Sequence, residues 1–171
     1  MKRQIVMVLV LLVLMIASVA AAPGARDSQT VGEGNAILEF KTMFAVSGPY
    51  VGPTNPIRGL PGGNAEWAIS EGRGSLKANG KLEIHLRGLI LPGPPFNGTN
   101  PLPDFRAVVN CQSIDGSGNP TLVNVSTGNF PASIAGDSDI SETIALPQPC
   151  IAPIIFVMHP AADRWFATTG R

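Results

Sequence analysis

From Pro23 onward the chain never runs far without a backbone breaker. All 19 glycines and all 16 prolines lie in that part. Each is costly inside a helix, proline most of all, and helix-forming segments are nearly absent between them. That density approaches the composition of disordered chains. Between the clusters, however, stand short runs with the two-residue period of half-buried strands. The reading is therefore ordered and all-β.

The sharpest local signal is Asn79-Gly80, set between alternating runs, a strong hairpin cue. A two-residue turn there would mix apolar and polar side chains on each face. A three-residue loop, Ala78 to Gly80 with Gly80 left-handed, opposes Leu76 with Leu82. Leu76, Leu82, Ile84 and Leu86 then share one face, and Lys77, Lys81, Glu83, His85 and Arg87 the other. One buried and one wet face is the mark of an antiparallel sheet.

Other strands are expected at Ala36–Val46, Trp67–Ser70 (an edge), Phe105–Cys111, Thr121–Ser126, Ile140–Leu146, Ile154–Met158 and Trp165–Thr169. About eight short strands with turns between them predict an antiparallel β-sandwich or a partly closed barrel. One strand breaks its own pattern: Glu142 shares a face with Ile140, Ile144 and Leu146. A register-shifting bulge or a partly buried carboxylate paired with an arginine would account for it.

The first residues read differently. Lys2 and Arg3 precede an apolar run from Ile5 to Ile16, then the small residues Ala17 to Ala22. This is the layout of a secretory signal peptide, with cleavage expected after Ala20 or Ala21. The apolar stretch is marginal for spanning a bilayer, so no membrane span is expected after cleavage. The organisation is thus a signal peptide (1–21), a flexible leader (22–34) and one domain (35–171). Without Lys2 and Arg3, 10 basic residues face 12 acidic ones, a net charge of −2. That balance argues against electrostatic capture of nucleic acid or anionic membrane. In an oxidising compartment Cys111 and Cys150 are expected to form a disulfide; buried free thiols are the alternative. The cysteines and the distant His85 and His159 match no zinc spacing, and no cofactor motif is present.

Two long loops are the candidate site. Gly48–Asn64 carries Thr54-Asn55-Pro56 and Leu60-Pro61-Gly62. Ile90–Asp104 carries Leu91-Pro92-Gly93 and Thr99-Asn100-Pro101. Proline lowers the ordering cost of binding, so Tyr50, Trp67 and Phe96, with Asn55 and Asn100, form a possible binding rim. The competing reading is that the loops only cover the sheet ends. Asp115, Ser117 and Asn119 have the spacing of a calcium loop, but Pro120 and Ser126 stand where it needs glycine and glutamate, so a plain turn is expected. Asp137 and Asp139 read as an exposed acidic turn. His85 reads as solvated, and His159 sits in a loop before Pro160. No nucleophile elbow is present. Asn97-Gly98-Thr99 and Asn124-Val125-Ser126 are glycosylation sequons, relevant only to a eukaryotic secretory pathway.

The segments VGPTNPIRGLPGG (Val51 to Gly63), LEIHLRGLIL (Leu82 to Leu91), FRAVVNC (Phe105 to Cys111) and LPQPCIAPIIFV (Leu146 to Val157) resemble a family of small exported bacterial proteins without an assigned function. The resemblance implies a bacterial, secreted setting and transfers no functional residue. The function expected is a secreted, non-catalytic binding or envelope-associated module with an extracellular or cell-envelope partner. The alternatives are a purely structural exported protein without a small ligand and, last, a secreted hydrolase.

Overall fold

Residues 34–169 are described by the structure, a computed structural model. The expected signal peptide, and the expected leader except Gly34, lie outside the described residues. Nine strands follow: β1 (Ala36–Phe40), β2 (Met43–Ala45), β3 (Glu71–Lys77), β4 (Lys81–Arg87), β5 (Asp104–Ile114), β6 (Pro120–Pro131), β7 (Ser138–Thr143), β8 (Ile151–Met158) and β9 (Trp165–Thr169). Among the described residues no α-helix forms, as the glycine and proline density requires. Sheet A has the order β1-β3-β4-β7 and sheet B the order β2-β9-β8-β5-β6. All pairings within them are antiparallel. The sheets stay open, so the fold is a β-sandwich and not a closed barrel.

The β3–β4 hairpin is the one read from the sequence. Leu76 opposes Leu82, and the loop is Ala78 to Gly80. Gly80 has φ +87°, and the Asn79 Oδ1 accepts from the Lys81 amide at 3.0 Å. Leu76, Leu82, Ile84 and Leu86 are all fully buried. Each contributes roughly 1.5–3 kcal/mol by leaving water.

The first expected strand is divided. β1 pairs with β3 in sheet A, and β2 with β9 in sheet B, so the chain crosses between layers at Lys41-Thr42. Phe40 and Met43 are both buried. Three residues apart, they could not point the same way along one strand, because side chains alternate. The crossing lets both face the core. Opposite them β3 carries Gly72 and Gly74 at its inward positions. A Cβ on Gly74 would lie 2.8 Å from the Phe40 ring, and one on Gly72 equally close to the Met43 side chain. Phe40 and Met43 thus fill the core where β3 has no side chains.

Three further expectations are corrected. Trp67–Ser70 is not a strand; it makes one isolated bridge, Ala68 to Ile90. The strand expected over Thr121–Ser126 is longer, since β6 runs on to Pro131. There a bulge in β6 sets Thr127 and Gly128 against Ala107 of β5, and the Thr127 hydroxyl accepts from the Ala107 amide at 2.9 Å. Glu142 needs neither a bulge nor an arginine. Its strand pairs with β4 without a register shift, and its carboxylate accepts from the Gly128 amide of β6 at 2.8 Å. With Ser138 Oγ donating to the Pro131 carbonyl at 2.9 Å, this bond fastens the edge of sheet A to the edge of sheet B.

The Cys111–Cys150 disulfide is present, with Cα atoms 4.9 Å apart. Cys111 lies on β5 and Cys150 directly precedes β8, the neighbouring strand. The bond therefore staples neighbours within sheet B, not one sheet to the other.

Candidate functional site

The first long loop is not a free rim. It lies over the outer face of sheet B. The Trp165 indole donates to the Leu60 carbonyl at 3.1 Å, and the Trp165 amide to the Pro61 carbonyl at 3.1 Å. The Gly63 amide returns a bond to the Trp165 carbonyl at 2.9 Å. Arg58 reaches Asn110 of β5, donating to its backbone and side-chain oxygens at 3.2 and 3.1 Å. Asn110 is fully buried, and its amide is also satisfied through Asn124 at 2.6 Å. Trp165, with the Tyr50 and Phe156 rings 6.3 and 6.0 Å from its own, centres a second apolar layer beneath this loop.

The five expected rim residues separate accordingly. Trp67 is buried, stacked on Phe166 at 4.2 Å and edge-on to Phe105. It is a core residue, and its place in the rim is withdrawn. Asn100 is also buried. Its side chain donates to the Leu102 and Ser133 carbonyls at 2.7 and 3.0 Å and accepts from the Leu102 amide. Its side chain ties the second loop to itself and to the β6–β7 connection, so it too leaves the rim. Asn55 is exposed, but its amide donates to the Pro49 carbonyl at 2.7 Å and closes the first loop on itself. Tyr50 and Phe96 remain exposed. Phe96 borders a groove in which the prolines 92, 94 and 95 of the second loop meet Ala65 and Glu66.

The outer face of sheet A is a charged ladder. Arg87 grips Asp139 with both terminal nitrogens, at 3.0 and 3.3 Å, and His85 Nδ1 lies 2.9 Å from the same carboxylate. Glu71 pairs with Arg73 and Glu83 with Lys81. Arg87, and after it His85, holds the Asp139 carboxyl below the usual carboxylate range. Lys81 does the same for Glu83. Asp137 accepts from the Gly88 amide at 3.0 Å, so the two aspartates of this turn are used on separate tasks. In the β5–β6 turn the Asp115 carboxylate accepts from the Ser117 and Asn119 amides at 2.9 and 2.8 Å, which lowers its pKa. It closes the turn, as the failed calcium spacing implied. His159 Nδ1 accepts from the Ala161 amide at 3.0 Å, a local loop contact.

These shifts fix a pH dependence. A carboxyl whose folded pKa lies below its unfolded value adds stability above that unfolded value, near 4 for Asp and Glu. The contribution is lost as pH falls through the folded pKa. Stability is therefore expected to drop below about pH 4. Asp139→Asn should flatten part of that drop while changing stability at pH 7 only slightly, since exposed pairs are screened. Urea midpoints at pH 7 and pH 3 check this; an undiminished drop in the variant would exclude Asp139 as a source.

The feature that sequence reasoning missed lies at the open end of sheet B, beyond the reach of the first loop. Ile114, Leu122 and Ile151 are 51%, 48% and 52% exposed. Register brings them together: Leu122 and Ile151 both oppose Gln112, and Ile114 opposes Pro120. With Thr121 they line one open depression. An aliphatic cluster left in water on a sheet whose adjoining face is covered marks an interaction surface more readily than scattered apolar residues do. Its members come from three separate strands, so no local pattern announces it.

Compared with known protein families, curated proteins and solved structures, the chain finds no match.

Proposed function

We propose that the chain is a secreted, non-catalytic binding module that engages an extracellular or cell-envelope partner through the aliphatic patch of Ile114, Leu122 and Ile151. The patch carries the reading: three half-exposed aliphatic side chains on one face. The signal-peptide pattern and the resemblance to exported bacterial proteins support the location. A disulfide in place fits an oxidising compartment. The carboxyls with shifted pKa are all shifted downward. They are ionised bases at neutral pH, whereas an acid catalyst would need a raised value, so the hydrolase alternative gains nothing from them.

The test is retention of the labelled exported chain on intact cells of the exporting organism. Leu122→Thr combined with Ile151→Thr removes most of the aliphatic surface at exposed positions, where folding tolerates change. Retention is expected to fall by about tenfold or more, with the melting temperature nearly unchanged. Equal retention would overturn the reading. Loss with Tyr50→Ala and Phe96→Ala instead would move the site to the loops.

A further inference from the structure

We infer that the free edge of β6, residues 120–126, is a self-association surface, on which a second copy of the chain pairs its own β6 antiparallel about a two-fold axis. Among the described residues β6 pairs only with β5. Its far half is covered by β7 through Glu142 and Ser138. Its near half alternates between exposed and half-buried positions. Every strand directs alternate amides and carbonyls away from its partner, so this half presents a row of hydrogen-bonding groups.

Edges are commonly blunted by shortness, charge or a cover. The other three edges of this sandwich are. β2 has 3 residues, β1 has 5 and carries Glu39, and β7 carries Asp139 and Glu142. β6 is 12 residues long and has no charged side chain, with proline only at its two ends. What fits such an edge is another uncharged, β-branched strand, and β6 is itself one. A two-fold axis through Val123 sets Val123 against its copy and Thr121 against Val125, with no like charges opposed. The free edge is about 24 Å long at 3.4 Å per residue. One sheet thickness of roughly 10 Å makes the contact much smaller than the ~800 Å² per partner of a standard interface. The dimer should accordingly dissociate at micromolar concentrations, not nanomolar ones.

This inference goes beyond the partner reading, since it rests on the backbone edge and not on the patch. The two also fail separately. Val123→Lys lies outside the depression of Ile114, Leu122 and Ile151 and sets like charges directly opposite each other about the two-fold axis; it is expected to abolish self-association while preserving retention on cells. Sedimentation velocity of the exported chain from about 1 µM to 1 mM should show a monomer passing to a dimer. Single cysteines at 121, 122, 123, 124 and 125, mildly oxidised, should give a covalent dimer most readily at 123. There opposed Cβ atoms come within about 5 Å. A cysteine replacing Ser141 on the outer face of sheet A should give none. A monomer throughout the range, with no cross-link at any of the five positions, overturns the inference. So does a monomer whose amides at 121–125 are protected from exchange, which would place a segment of the same chain on the edge. A dimer cross-linked equally through Ser141 overturns it as well.

Discussion

Gly62→Ala is expected to destabilise the protein by about 3 kcal/mol or more. The added Cβ would stand 2.0 Å from the Tyr50 carbonyl and 2.7 Å from a Val46 methyl. The first contact is with backbone, which cannot rotate away. Gly62 sits where the first long loop bridges to Trp165, so the strain would lift the loop from sheet B and expose the apolar layer beneath it. Gly93→Ala is the control. It lies in the second loop with nothing within 4 Å of the added atom, and it should stay within about 0.5 kcal/mol of the parent. Urea unfolding of both variants checks this, with tryptophan fluorescence in a Trp67→Phe background, where Trp165 alone emits, reporting whether the loop opens. Equal stabilities would mean that the loop shifts freely and is not a packed cover.

The second large effect is expected from replacing Cys111 and Cys150 together by alanine. The bond spans a sequence separation of 39. On the chain-entropy account, releasing a loop of that length costs about 4 kcal/mol. For a domain of this size that corresponds to roughly 10 °C in Tm. The loss should appear chiefly as greater freedom of the unfolded chain, so the folded far-UV spectrum should be unchanged. A variant as stable as the parent would mean that the unfolded state is already constrained without the bond.

How much of this was legible in the sequence depends on whether a residue's partners lie nearby in the chain. The β3–β4 hairpin was legible because Leu76, Leu82, Ile84 and Leu86 alternate within one short stretch and Asn79-Gly80 marks the turn. The amino-terminal half of β3 was not, because its inward positions are Gly72 and Gly74, and the apolar groups that belong there come from Phe40 and Met43. The same two residues hid the division of the first strand. Their place in or beside the Pro/Gly loops marked Trp67 and Asn100 as rim residues, but their burial is set by Phe105, Phe166 and Ser133, far away in sequence. The patch of Ile114, Leu122 and Ile151 depends on a register between three strands. In the chain order each is only an isolated aliphatic residue on a polar face.

The crossing of the chain from β1 to β2 has a consequence for timing. β2 finds its partner in β9, with Met43 opposite Thr169, so the earliest strand of sheet B is completed by the last. Such pairing gives a high contact order, and loop-closure entropy makes it slow. For a chain threaded through a membrane pore amino-terminus first, sheet B cannot close until its final strand has emerged. In the exported setting proposed above, the segment in transit would stay extended and the topology would postpone folding until the far side is reached.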